Sequence, residues 1–116
     1  MPLVVVNKGK PWIPEELFSG LIRRLPEIIA GALTCENPDG KLLPADIEIW
    51  VREPNKYDVG SEKIQIVIFA SSFPERAVDL KVRQEAIEDR IKEILQGTNV
   101  HGWVWIRLAE SSFGEF

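Results

Sequence analysis

The sequence predicts an α+β fold in which duplicated β-α-β units form a four-stranded mixed sheet with two helices on one face. Three observations carry this expectation. Short runs with a period of two flank two longer stretches of helical period, in the order strand, helix, strand, strand, helix, strand. Ile49-Trp50-Val51-Arg52 returns as Val104-Trp105-Ile106-Arg107, and Val4-Val5-Val6 returns as Ile66-Val67-Ile68. Pro14-Glu15 returns as Pro74-Glu75 at a slightly different offset. The repeat covers approximately 2–53 and 63–110, within one domain over 1–116. A ferredoxin-like domain has the same linear order but interleaves its strands into an antiparallel sheet. The repeated strand sequences favour halves that each pair their own strands in parallel, through a right-handed crossover.

Leu3 to Val6 reads as a buried strand rich in β-branched residues, followed by a turn over 7–11. Pro14 suits a first helical turn, and Glu15 and Glu16 suit the positive end of its dipole. Leu17, Phe18, Leu21, Ile22, Leu25, Ile28, Ile29 and Ala32 then form an apolar stripe, with Pro26 expected to bend the helix. After a loop at Cys35–Gly40, Asp46 to Arg52 alternates as a half-buried strand, with Trp50 and Arg52 on the face opposite Ile47, Ile49 and Val51. A polar connection over 53–62 leads to a third strand marked by Ile64, Ile66 and Ile68. Ser72-Phe73-Pro74-Glu75 has the spacing of a capping box and opens a second helix running to about Leu95, with Gly97 beyond it. Leu80, Ile87, Ile91, Ile94 and Leu95 share its core stripe, and Val78 and Val82 on the other side suggest a further contact. Trp103 to Leu108 is the last strand, followed by an acidic, aromatic tail from Glu110 to Phe116.

Composition excludes several chemistries. A net charge of −4 gives no global field favouring nucleic acid, so any anion site must be local. Cys35 is the only cysteine, which rules out an internal disulfide and fits a reducing, cytoplasmic setting. His101 is the only histidine, so a His/Cys metal cluster is excluded, and its context reads as a loop. No apolar run is long enough to span a membrane, and the start of the chain lacks the pattern of a secretory signal.

The chemistry-bearing stretch is Met1-Pro2, followed at once by a strand. Methionine before proline is a usual processing substrate, and its removal makes Pro2 a secondary amine fixed at a sheet end. With Met1 retained, Pro2 simply starts a strand, where its missing N–H is harmless.

Met1-Pro2 before a strand, the two β-α-β units, the helix opening Ile13-Pro14-Glu15-Glu16-Leu17-Phe18-Ser19 and the pair Gly40-Lys41 together resemble the tautomerase superfamily, over essentially the whole chain. The resemblance implies a homotrimer with active sites near subunit boundaries, and a cofactor- and metal-independent tautomerase or isomerase. Pro2 is then the catalytic general base for keto–enol proton transfer on a small 2-oxo or unsaturated carboxylic acid. Decarboxylation or hydration with Pro2 as acid, a non-catalytic binding protein on the same fold, and a ferredoxin-like ligand-binding domain are the other readings.

A two-fold relation between the halves sets Pro2 beside Ala70 to Arg76, where the second helix begins. Arg76 falls on the sheet-facing side of that turn, and Ser72 stands at its start, where free N–H groups can hold a carboxylate. Lys41 matches the family's active-site lysine by its Gly-Lys context. Trp105 and Arg107, or Trp103 if the register slips, are candidates to reach a neighbour's site; otherwise they line a trimer channel, as Trp50 and Arg52 are expected to do. Lys8 and Lys10 read as surface charges at a vestigial second site, where Ile64 stands in Pro2's place. Glu48 and Trp103 stand where short tautomerases carry a substrate-gripping arginine, so the family's known substrates do not transfer.

Overall fold

The computed structural model describes residues 2–9, 13–60 and 63–116. Strand β1 (Leu3–Asn7) lies at the centre of a sheet ordered β2-β1-β3-β4, with β2 at Glu48–Arg52, β3 at Ile64–Ser71 and β4 at Gly102–Ala109. β1 runs parallel to β2 (Leu3 opposite Glu48) and antiparallel to β3 (Leu3 opposite Phe69), and β3 runs parallel to β4. Each half therefore pairs its own strands in parallel, and the halves meet along β1 and β3 with Val5 opposite Val67. This is the duplicated β-α-β arrangement, not the interleaved antiparallel one.

Alternation decides which face is buried. Val4 and Val6 of β1, Ile64, Ile66 and Ile68 of β3, and Val104 and Ile106 of β4 all point to one side and join the core. Helix α1 (Glu15–Leu33) meets them with Leu21, Leu25, Ile29 and Leu33, each fully buried and worth about 1.5–3 kcal/mol relative to exposure. The helix runs through Pro26 as one element. β2 begins two residues later than the alternation suggests, because Pro44–Asp46 forms a 3-10 turn in which Asp46 Oδ2 accepts the Leu43 N–H at 2.8 Å.

The second helix departs from expectation. It is split into a short α2 (Pro74–Val78) and a longer α3 (Leu80–Ile94), parted at Asp79, whose ψ of 31° leaves helical space. Asp79 is held there by Arg83, whose Nε donates to Asp79 Oδ1 at 2.6 Å. The capping box does not form either. Pro74 forces the preceding Phe73 into extended backbone (φ −123°, ψ 143°), so Phe73 is the cap residue. The Ser72 N–H instead continues the β3–β4 ladder by donating to the Ala109 carbonyl at 2.9 Å. Ile87 and Ile91 of α3 reach the core, while Val78 and Val82 are 84% and 66% exposed and lie outside the core cluster of the described residues.

Among the described residues, no helix packs on the sheet's other face. Trp50, Val5, Val67 and Trp105 stand in one row across it, with Glu48, Leu3, Phe69 and Arg107 in the next row. Among the described residues, no helix is long and apolar enough to cross a membrane.

Candidate functional site

Pro2 is buried at the start of the central strand. Its carbonyl accepts the Glu48 N–H at 3.1 Å, which ties it to β2, and the β1–β3 register carried one residue further sets it against Ala70. By alternation with Val4 and Val6 it belongs to the helix side of the sheet. The end of β3, the turn into α2, the C-terminus of α1 and the loop bearing Gly40-Lys41 all gather at this end.

Arg76 joins these pieces. It points inward, the direction expected from the sequence although Asp79 parts its helix from Leu80 and Ile87, and is 2% exposed. Its partners are main-chain carbonyls: Nε donates to Leu33 O at 2.9 Å, Nη1 to Ser71 O at 2.7 Å and Nη2 to Gly40 O at 3.2 Å. The guanidinium also lies 5.1 Å from the Phe73 ring centroid. Burial pushes its pKa down from the ordinary arginine value, with the charge of Arg83 acting the same way and Cys35 and Glu75 opposing it. Gly40 makes the close approach possible, since a Cβ there would stand 2.8 Å from Cys35 Cβ. The same Gly40 carbonyl accepts the Cys35 N–H at 2.9 Å, so the loop folds back on itself before Lys41 emerges, exposed, at the surface.

Sequence reasoning did not single out Arg83, which completes this arrangement. Helix α1 has no basic residue in its last turn to meet its terminal carbonyls. Arg83 supplies donors from the other half, with Nη1 bonding Ala32 O at 3.1 Å and Thr34 O at 2.8 Å. The visible signal was the Asp79/Arg83 spacing of four residues within a helix.

Other candidates lie elsewhere. Ser72 is exposed, and its N–H is committed to Ala109, as those of Arg76 and Ala77 are to the Phe73 carbonyl. Trp103, Trp105 and Arg107 share the open sheet face, which resolves their register. Arg107 stacks 4.9 Å from the Trp105 ring and 5.9 Å from the Phe69 ring. Beside it a cavity of about 360 Å³ is lined by Leu3, Phe69, Ser71, Arg107, Ala109 and Ser111, among others. It borders Pro2's neighbour Leu3, and a hydrogen bond between the Ser71 and Ser111 hydroxyls closes its rim. Trp105 stands one row away from this cavity, opposite Val67.

Lys8 corrects an expectation. It is only 5% exposed, its Nζ pairs with Glu15 Oε2 at 3.0 Å, and it lies 5.0 Å from the Phe18 ring. The cause is the strand's own alternation: Lys8 follows Val4 and Val6 on the helix side, where the first turn of α1 meets it. Lys10 and Met1 lie outside the described residues. His101 is an exposed loop residue whose carbonyl accepts the Ile64 N–H at 2.9 Å. No group of three or more His, Cys, Asp or Glu suited to a metal occurs among the described residues.

The fold matches that of solved structures from the tautomerase superfamily. A fused 4-OT wild-type asymmetric trimer matches 97% of this chain and 91% of its own at a TM-score of 0.62 and 16% identity. A macrophage migration inhibitory factor-like protein from Entamoeba histolytica matches 96% of this chain and 89% of its own at 0.55 and 19%. A member of the cis-3-chloroacrylic acid dehalogenase family matches 97% and 81% at 0.55 and 14%. At these identities the likeness is one of fold, and it bears out the resemblance drawn from Met1-Pro2 and the paired β-α-β units. No protein-family model matches the chain, and no curated protein matches it in sequence.

Proposed function

We propose that this chain is a cofactor-independent tautomerase that uses Pro2, freed by loss of Met1, as the general base on a small carboxylate-bearing substrate. The observation that carries the proposal is the placement of Pro2: buried, tethered through its carbonyl, and set at the sheet end where the guanidinium of Arg76 is held. An α-amino group titrates near ~8 in water. Burial and nearby positive charge disfavour a protonated amine, and a general base is most effective near neutrality. Pro2 nitrogen takes a proton from one position of the enol or keto acid and returns it to the other, with no covalent bond to substrate. Arg107 of a neighbouring chain, which lies 4.9 Å from its Trp105 ring and 5.9 Å from its Phe69 ring, binds the carboxylate, and Lys41 polarises the carbonyl. Ser72 and Trp105 border the site, the latter from a neighbouring chain. Arg76 contributes charge and holds the Lys41 loop, because three of its five N–H donors already serve carbonyls.

The test combines the mass of the mature N-terminus with phenylenolpyruvate ketonisation measured across pH. A base predicts kcat/KM that rises with pH and levels off above the Pro2 pKa, because only the neutral amine accepts a proton. An acid role, as in decarboxylation or hydration, predicts the reverse slope. Retained Met1 with turnover intact would sink the mechanism, since Pro2 is then an amide.

The same reading includes a homotrimer closed over the open sheet face, as the match to a fused 4-OT trimer supports. Trp50 and Trp105, both more than half exposed in the single chain, flank the Val5–Val67 row that such an assembly covers. Val67→Lys puts a charge in the middle of that row, where it must be desolvated unpaired. Sedimentation at micromolar concentration should then change from trimer to monomer; an unaltered trimer would place the interface elsewhere.

A further inference from the structure

At the sheet end opposite Pro2, a cavity of about 480 Å³ opens between the last turn of α3 and the starts of β3 and β4. Its walls include Ile64, Ile66, Ile91, Leu95, Val100 and Val104. In the first half the longer connection over 34–47 carries Cys35, which is buried, and Leu42, which packs against the core. The shorter link from α3 to β4 carries Val100, which packs against the core and forms part of the cavity wall. The cavity nonetheless stays open beside these apolar walls.

The tail Glu110–Phe116 has the complementary deficit. It leaves the opposite end of β4, and Phe113 is 62% exposed, with Phe116 exposed as well. Its own chain cannot bring these together. The eight residues of β4 span about 23 Å at the usual rise per strand residue. The hydroxyl bond between Ser111 and Ser71 anchors the tail at the far end. Phe113, two residues beyond that anchor, can move only about 7 Å from it.

We propose that the cavity is a docking site for a second copy of this chain, occupied by Phe113 of that copy's tail. A phenylalanine ring supplies the rigid apolar filling that the walls lack. Lys92 at the cavity is opposite in sign to Glu110 and Glu115 of the tail, while Glu88 at the wall limits this attraction to one edge. The contact is heterologous, joining two different patches, which is the kind that closes a ring of three. The inference rests on the trimer reading and specifies what links one subunit to the next.

Two single variants test it: Gln96→Cys at the cavity and Gly114→Cys in the tail, where an added Cβ meets no atom within 4 Å. The native Cys35 is buried and does not compete. Mixed under mild oxidation after exchange of subunits, the two variants should form a mixed disulfide about tenfold more abundant than either variant's product with itself, because docking raises the local concentration. Phe113→Ala in the tail variant should remove that excess. A trimer by sedimentation without the mixed product overturns the docking inference and leaves the trimer standing. A monomer by sedimentation overturns both. Equal maleimide labelling of Gln96→Cys with and without residues 112–116, in an intact trimer, would assign the cavity to a small apolar ligand instead.

Discussion

Arg76→Ala should cost on the order of 3–6 kcal/mol of stability, read as a large fall in the urea midpoint with little change in slope. The estimate follows from what the side chain serves. Removing it leaves the carbonyls of Leu33, Ser71 and Gly40 without that donor in a region closed to water, and each such group costs about 1–3 kcal/mol. The costs do not simply add, because the loop at Gly40 can relax outward. Against a typical stability of about 5–15 kcal/mol, the loss is enough to populate unfolded chains. Arg76→Lys should fall between, since one ammonium cannot reproduce the three-way geometry of the planar guanidinium. A loss below about 1 kcal/mol would mean that water replaces the guanidinium at all three carbonyls.

The strands were legible because alternation is unambiguous when one face is buried and the other is not. Ile64, Ile66 and Ile68 state their face outright, and the Trp-x-Arg repeats state theirs, which is why Trp105 and Arg107 fell where expected once β4 was in register with β3. Lys8 was readable by the same rule, as the next member of the Val4, Val6 series, but its charge suggested the surface. A salt bridge to Glu15 and the Phe18 ring allow the strand rule to prevail. The second helix was harder. Its stripe runs on through Leu80, so nothing in the period marks a break at Asp79; the break depends on Arg83 reaching back to a helix some fifty positions earlier. Ser72-x-x-Glu75 has the spacing of a cap, yet Pro74 fixes the start one residue later. For the site, helical spacing gave the inward direction of Arg76. Its partners were not legible, because carbonyls at the end of α1 and in the Gly40 loop have no side-chain signature.

Pro2→Ala should lower kcat for enol–keto conversion by about 10²–10⁴, the range that a positioned general base contributes. The substitution is informative because it separates chemistry from architecture. The Pro2 carbonyl, which accepts the Glu48 N–H, belongs to the backbone and survives the change, so β1 keeps its register and unfolding should shift little. Alanine still permits removal of Met1 and still leaves an amine at the same place. That amine is primary and free to rotate, whereas proline holds its secondary nitrogen in the pyrrolidine ring. The loss should therefore appear mainly in kcat, with KM changed less, since Arg107 and Lys41 are untouched. A second variant isolates the amine itself: one residue added before Pro2, in a form that is not trimmed, converts the nitrogen to an amide that accepts no proton. Its activity should be as low as that of Pro2→Ala or lower. If the extended chain turns over phenylenolpyruvate at the native rate, the base is not Pro2, and the buried strand start has only a structural part.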